Sequence, residues 1–454
     1  MEADVRSNLS WEQHSLAELA RLAWPIAVST LSFSVMTLVD TLLVGHLGAA
    51  QLAGVGLGGT AAFALLYFSV GLLRGGKTLV AQAVGAQRRE EVGAYRATAM
   101  GAALVLGLIT VGVGQLMALV LVRLSATPAA GQAARTYLQI RNLGAPMALF
   151  YVALREVRYA EGDARSPMVA TVVANLVNVA LACLLVFGLG YGVAGAAVAT
   201  LVAQTLEAAL LAFADRRRGF SLRPATARHL GELWRIGLPT ALQFMLEVGS
   251  FVLLASMISS LSEVQMAAHQ IALQVCHFSF LPAFAVGEAA SVLAGQAVGA
   301  RRDDLVLRVA RLALVAAVAY AGACSVLFAL GGPWIVAGFT SVATLSAVAI
   351  RLLRVAAVFQ IFDAANVVAR SVLRGSGDVR FAAVVGVATS WALTPPLAWL
   401  LGYRLGLGAF GGWLGLCGEI ILGALILWWR LERRTWVSAA AASRARIEAE
   451  LAVA

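Results

Sequence analysis

Lysine is almost absent from this chain: Lys77 is the only one, against 33 arginines and 24 acids. Charged residues of any kind make up 13% of the 454 positions, hydrophobic residues make up 60%, and the mean hydropathy is +0.84. A soluble domain of this length could not cover its surface with so few charges, so the composition excludes that class. Cysteine is equally scarce. Cys183, Cys276, Cys324 and Cys417 each lie alone in an apolar run, without the CxxC spacing of a metal or redox site, and read as small packing residues. No Walker A sequence, nucleotide-binding loop, catalytic triad or HExxH motif occurs. ATP hydrolysis within the chain and membrane proteolysis are therefore unsupported, the protein is expected not to be an enzyme, and no cofactor is expected. The net charge of +10 is spread over short clusters between apolar stretches and forms no basic domain, which argues against a nucleic-acid partner.

Apolar stretches are what the chain has in abundance. Spans of about 20 residues are needed to cross a bilayer. Reading between charged and Gly/Pro-rich breaks predicts twelve: 22–44, 52–78, 95–120, 136–155, 166–187, 191–214, 236–259, 266–292, 309–330, 346–370, 381–401 and 409–430. The N-terminus has no cleavable-signal pattern, and Leu9 to Arg21 reads as a short amphipathic lead-in to the first span. The 215–235 stretch, from Asp215 through Trp234-Arg235, is the longest polar segment and separates six spans from six. Of the 34 Lys and Arg residues, 25 fall in the two tails and the loops after the even-numbered spans, against six on the opposite side. That asymmetry predicts a multi-pass protein of the inner (plasma) membrane with both termini in the cytoplasm.

The two sixes are copies. Gln82-Ala83-Val84-Gly85-Ala86 recurs as Gln296-Ala297-Val298-Gly299-Ala300, and the same offset of 214 carries Pro25 onto Pro239 and Arg88 onto Arg302. Six spans between a feature and its copy give both halves the same orientation. The expected fold is therefore all-α and integral to the membrane: two six-helix lobes related by a pseudo-twofold axis along the membrane normal. The predicted division is an N-lobe over 1–214, a cytoplasmic linker over 215–235, a C-lobe over 236–437 and a cytoplasmic tail over 438–454.

Several of these segments resemble the multidrug and toxic compound extrusion (MATE) transporters, in particular their NorM-like branch. They are the Pro25 to Gly45 span with its Asp40, the Gly71 to Ala86 end of the second span, and Leu373-Arg374-Gly375-Ser376-Gly377-Asp378. A weaker copy of the last, Glu161 to Pro167, follows the fourth span. The resemblance covers all twelve spans. It implies a secondary antiporter, coupled to Na+ or H+, that exports amphipathic and often cationic compounds while two lobes rock about a central cavity. Drug-like small molecules and the lipid bilayer are the implied partners, and a monomer is expected. A lipid or lipid-linked oligosaccharide flippase of the same wider superfamily is the alternative, with Arg74 and Lys77 its best support.

Ionisable residues at membrane depth are costly and mark function by default. Asp40 is the only acid in the first span; it is either an ion- and drug-binding carboxylate or an interfacial acid near the outer end. Asn175 and Asn178, three residues apart and so on one helix face, either supply neutral oxygens to a cation or join helices. With Pro25, which frees a carbonyl and lets the first span bend, they form the N-lobe site that the resemblance implies. In the second half, Gln243 and Glu247 share one face, as do Gln360, Asp363 and Asn366. Glu247 and Asp363 match the cation-binding acids of the NorM-like branch, a Na+ site by resemblance; the competing reading is a buried structural network. Arg74 lies at the position whose copy is Glu288, so symmetry-related sites carry opposite charges; the two form an interlobe or gate pair, or Arg74 extends to the cytoplasmic headgroups. Lys77 is expected to extend to the cytoplasmic headgroups. His269 and His277 are expected to bond neighbouring helices, and Trp391 is a candidate for lining the cavity.

Overall fold

The structure, a computed structural model, describes residues 9–125, 127–217 and 223–448. Residues 218–222 of the predicted linker and 449–454 of the predicted tail lie outside the described residues. Among those described, every regular element is helical. In chain order they are α1 (Ser15–Gly45), α2 (Ala49–Gly85), α3 (Arg89–Leu124), α4 (Pro128–Asn142), α5 (Ala145–Ala160), α6 (Arg165–Cys183), α7 (Gly192–Arg217), α8 (Ala227–Ser259), α9 (Glu263–Gly299), α10 (Asp303–Ala337), α11 (Ala343–Gly375), α12 (Val379–Leu397), α13 (Ala409–Glu432) and α14 (Val437–Glu448). In lipid the backbone has no water to bond, so a chain of these apolar runs must satisfy its amides within helices.

Eleven of the described helical segments are long and apolar enough to cross a membrane. The twelfth expected span, the fourth, is two shorter helices, α4 and α5. Pro146 has no N–H to give the Asn142 carbonyl, which interrupts the helical ladder at Leu143 and Gly144. Both residues nevertheless keep right-handed helical dihedrals. The Asn142 side chain ties the break to α3, donating to the Thr110 and Val111 carbonyls at 3.0 Å each. Most helices overrun their predicted spans: α2 reaches Gly85 and α9 reaches Gly299, past the last apolar residues of each span. The predicted tail also holds structure, because α14 folds back: Ser443 Oγ donates to Gln82 Oε1 at 2.6 Å, and Arg444 pairs with Asp303 at 2.5 Å.

The chain forms two compact units. The C-terminal unit takes Met1–Ala27, Ala81–Gln87 and Leu242–Ala454; the N-terminal unit takes Val28–Val80 and Arg88–Ala241. Within the C-terminal unit the repeated pentapeptide meets its own copy. A Cβ on Gly85 would overlap the Gln296 carbonyl oxygen, and a Cβ on Gly299 would overlap that of Gln82. Helices in lipid attract one another mainly by van der Waals contact, so a glycine at the crossing is what lets the two backbones touch. The turns that follow are copies too. Gln87 (φ 60°) and Arg301 (φ 57°) both adopt the left-handed conformation after their pentapeptides, at a cost of about 1–2 kcal/mol each for a residue with a side chain. Acids then open the next helices, Glu90 and Glu91 in α3 and Asp303 and Asp304 in α10, where they complement the helix dipole.

Gly299→Ala should therefore lower stability by about 1–3 kcal/mol through overpacking, read as a fall in melting temperature in detergent. Gly101→Ala, on α3 with open space around it, should be neutral or slightly stabilising.

Candidate functional site

Two clusters of polar side chains lie inside the membrane-length helices, one in each unit. In the N-terminal unit Asp40 sits half-buried on α1. Its Oδ1 is buried and accepts no hydrogen bond from the protein, and its charge interacts with that of Arg141 at the end of α4. The Arg141 guanidinium in turn lies 5.7 Å from the centre of the Tyr137 ring. Asn178 on α6 is fully buried; its Nδ2 donates to Thr200 Oγ1 on α7 at 3.4 Å, while its Oδ1 has no partner. Asn175, one turn away, donates to Ser32 Oγ on α1 at 2.8 Å. Ser32 precedes Asp40 by eight residues, about 12 Å along a helix axis. The amides thus tie α6 to α1 and α7, and no hydrogen bond joins either of them to Asp40 among the described residues. Pro25 lies within an unbroken α1, but in the stretch that belongs to the C-terminal unit.

In the C-terminal unit Glu247 on α8 is held by α11. Arg370 Nη1 donates to both of its oxygens, at 2.9 and 3.1 Å. Gln243, one turn earlier on α8, donates its Nε2 to Glu247 Oε1 at 2.8 Å and accepts from Arg374 Nη2 at 2.8 Å. Gly386 of α12 closes against this pair, since a Cβ there would overlap both Gln243 and Glu247. Asp363 lies two turns before Arg370 on α11, and Glu419 on α13 is 7% exposed and hydrogen-bonded to Thr394. Both acids interact electrostatically with Arg370 and Glu247. Gln360 is not part of this group: its Nε2 is directed to Ser279 Oγ on α9. Asn366 donates to the Ile420 carbonyl at 3.3 Å. Among the described residues no group of three or more His, Cys, Asp or Glu side chains is arranged to hold a metal ion.

The MatE family profile matches this chain twice, over residues 25–184 and again over 239–400. The chain belongs to the MatE family. Among its relatives are the probable multidrug resistance proteins NorM of Bradyrhizobium diazoefficiens, 32% identical over 92% of this chain and 94% of the relative, and of Pseudomonas syringae pv. tomato, 30% identical over the same shares. The fold is that of solved MatE structures. An outward-facing multidrug resistance MATE transporter of the MOP superfamily superposes with a TM-score of 0.88 at 20% identity, covering 95% of this chain and 99% of that one. A MOP-superfamily transporter from Pyrococcus furiosus gives 0.85 at 21% identity, covering 96% and 98%. As a MatE protein the chain is a multi-pass membrane transporter and not an enzyme.

Three charged residues inside the membrane-length helices of this MatE protein were not singled out by the sequence reading. Glu419 and Glu207 are each the lone acid of an apolar run, the same signal that marked Asp40. Glu207 Oε1 on α7 accepts from Thr171 Oγ1 at 2.6 Å, and Thr171 is bonded to the Tyr151 hydroxyl at 2.6 Å. Arg370 was visible as a span residue, but its partner was not, because Glu247 lies 123 residues away in sequence. Lys77 corrects an expectation outright. It does not extend to the headgroups: it is 4% exposed, with its Nζ 3.8 Å from Glu156, which is 1% exposed and also pairs with Arg155 at 2.9 Å. A carboxylate inside the unit outbids the interface for that ammonium. Trp391 donates to the Leu246 carbonyl at 2.9 Å and remains 42% exposed. His269 is buried and accepts from Trp413 Nε1 at 3.0 Å, a bond between helices as expected. Arg74 is half-buried in the N-terminal unit, and Glu288 is buried in the C-terminal unit. In the loop after α5, outside the membrane-length helices, burial pushes the Glu161 carboxyl above its ordinary range, while Arg96 and Arg158 pull it back.

Removing one member of a buried ion pair strands the other. Glu156→Leu should cost about 3–5 kcal/mol, and adding Lys77→Met should recover part of that loss. Thermal unfolding of the single and double variants checks this; a double variant no more stable than Glu156→Leu would refute the pairing.

Proposed function

We propose that this transporter is a secondary active antiporter that exports amphipathic, often cationic, drug-like compounds in exchange for Na+ or H+ by a rocker-switch cycle. The multidrug resistance proteins among its relatives support the cargo class. The observation that carries the mechanism is the pair of idle oxygens in the N-terminal unit. Asp40 Oδ1 and Asn178 Oδ1 are both buried acceptors without a donor, and a buried acceptor left unmade costs about 1–3 kcal/mol. A proton or a small cation on Asp40 would remove that penalty, and so would the positive group of a drug. A single carboxylate cannot serve both at full occupancy, so loading one favours release of the other, which is the logic of exchange.

In this reading the halves 1–214 and 236–437, joined by 215–235, are the rocking lobes of a monomer in the inner membrane, with both termini in the cytoplasm. Glu247 and Asp363, with Gln243 beside Glu247, form the second cation-binding element. The pairing of Lys77 with Glu156 speaks against a lipid-linked anionic cargo, because the ammonium that would attract it is already neutralised.

Dye efflux from proteoliposomes under separately imposed Na+ and pH gradients tests the proposal. The wild type should respond to at least one gradient, and Asp40→Asn, which keeps the shape but never ionises, should fall to the level of protein-free liposomes. Efflux indifferent to both gradients, or undiminished in Asp40→Asn, would discard it.

A further inference from the structure

Of the acids assigned to cation binding, Glu247 in the C-terminal unit differs from Asp40 in one respect: an arginine already donates hydrogen bonds to it. Glu247 receives three hydrogen bonds from two side chains, two from Arg370 Nη1 at 2.9 and 3.1 Å and one from Gln243 Nε2 at 2.8 Å. Its carboxylate is therefore well supplied with donors. Gln243 is itself fixed by Arg374 at 2.8 Å, and Gly386 of α12 walls off the same two side chains. A metal ion arriving here finds the oxygens spoken for.

The grip of Arg370 is nonetheless a loose one. A guanidinium matches a carboxylate best by two parallel N–H···O bonds from different nitrogens. Here a single nitrogen serves both oxygens, and Nε of Arg370 is buried with no hydrogen-bond partner. Two more acids act on the same guanidinium, Asp363 from its own helix and Glu419 from α13. The charged groups around Glu247 are thus two cations, Arg370 in direct contact and Arg374 through Gln243, and two further carboxylates. Asp363, two turns earlier on α11, and Glu419 on α13 keep negative charge near Arg370 when it leaves Glu247.

We propose that Arg370 is a resident counter-ion of Glu247, and that a transported cation gains this carboxylate only by displacing it. Arg370 is thereby a specificity-determining residue. It acts on the second cation-binding element of the proposed antiporter and rests on that reading. Exchange is close to even only for a cation that, like guanidinium, is weakly hydrated and carries delocalised charge. Na+ must shed a tightly held water shell and break charge-assisted hydrogen bonds in the same step. The C-terminal unit is therefore selective for organic monocations and closed to Na+ for as long as Arg370 is present.

The test uses the full chain purified in detergent, with Na+ replacing choline at constant ionic strength, and tetraphenylphosphonium as the weakly hydrated organic cation. Binding is followed by calorimetry and by tryptophan fluorescence. Trp391 donates to the Leu246 carbonyl and packs on Gly249, on either side of Glu247, so Trp391→Phe identifies its share of the signal. The wild type should bind tetraphenylphosphonium and show no Na+ binding that Glu247→Gln removes. Arg370→Gln should bind Na+ at least about tenfold more tightly, a change of about 1.4 kcal/mol. That gain should vanish in Arg370→Gln/Glu247→Gln, and Arg370→Lys should stay closer to wild type. Na+ binding by the wild type that depends on Glu247 would overturn the inference while leaving the antiporter reading intact. So would an Arg370→Gln variant that folds and gains no Na+ affinity. If that variant does not fold, the wild-type Na+ titration with and without Glu247→Gln decides alone. Absence of any cation binding by the wild type would overturn both readings.

Discussion

Everything at one end of the C-terminal unit hangs on a contact with no side chain in it. Gly85 rests on the carbonyl of Gln296, and Gly299 rests on the carbonyl of Gln82. Because the glycines bring the backbones together, the two glutamines are held at fixed places with their amides free to reach outward. Gln82 donates to the Gly375 carbonyl at 3.1 Å and accepts from Ser443, binding the ends of α11 and α14. Gln296 accepts from Trp11 Nε1 at 2.8 Å and fixes the segment that leads into α1. Repetition of the pentapeptide is thus a structural requirement: each copy supplies the glycine that the other's carbonyl needs.

The two polar clusters show opposite solutions to the same cost. Burying a carboxylate without partners is expensive, and a protein either pairs it or leaves it ready to capture something. At Asp40 one oxygen is left without a donor. At Glu247 the charge is met by Arg370, supported by Gln243 and Arg374 in a two-rung ladder between α8 and α11. One cluster has an acceptor without a donor and the other has its charge already met, so in the proposed antiporter they are expected to respond differently to small metal ions.

Much of this was legible in the sequence, for physical reasons. Long apolar runs admit only helices in lipid, so eleven spans followed from hydropathy alone. The fourth was legible as apolar but not as broken, since Pro146 near the start of a helix and Pro146 in its middle look alike until the hydrogen-bond ladder is seen. Single acids in apolar runs singled out Asp40, Glu247 and Asp363 as candidates, and the same signal stood at Glu207 and Glu419. What no one-dimensional reading held was the pairing. Lys77 looked close enough to a span end to reach the interface, and its burial depends on Glu156, which lies on another helix. Arg370 likewise acquires its meaning only from α8.

The ends of α6 and α12 carry a last consequence. Each widens into a π-helical turn, over Leu184–Gly188 and Ala398–Arg404, and a glycine of the following helix, Gly195 or Gly411, presses on the backbone of that turn at Leu185 or Leu401. A π turn arises when an extra residue is accommodated inside an α-helix. The same irregularity, with an equivalent glycine seated against it, stands in both halves. The backbone contact between that turn and the next helix is therefore part of the repeated unit itself, alongside the pentapeptide.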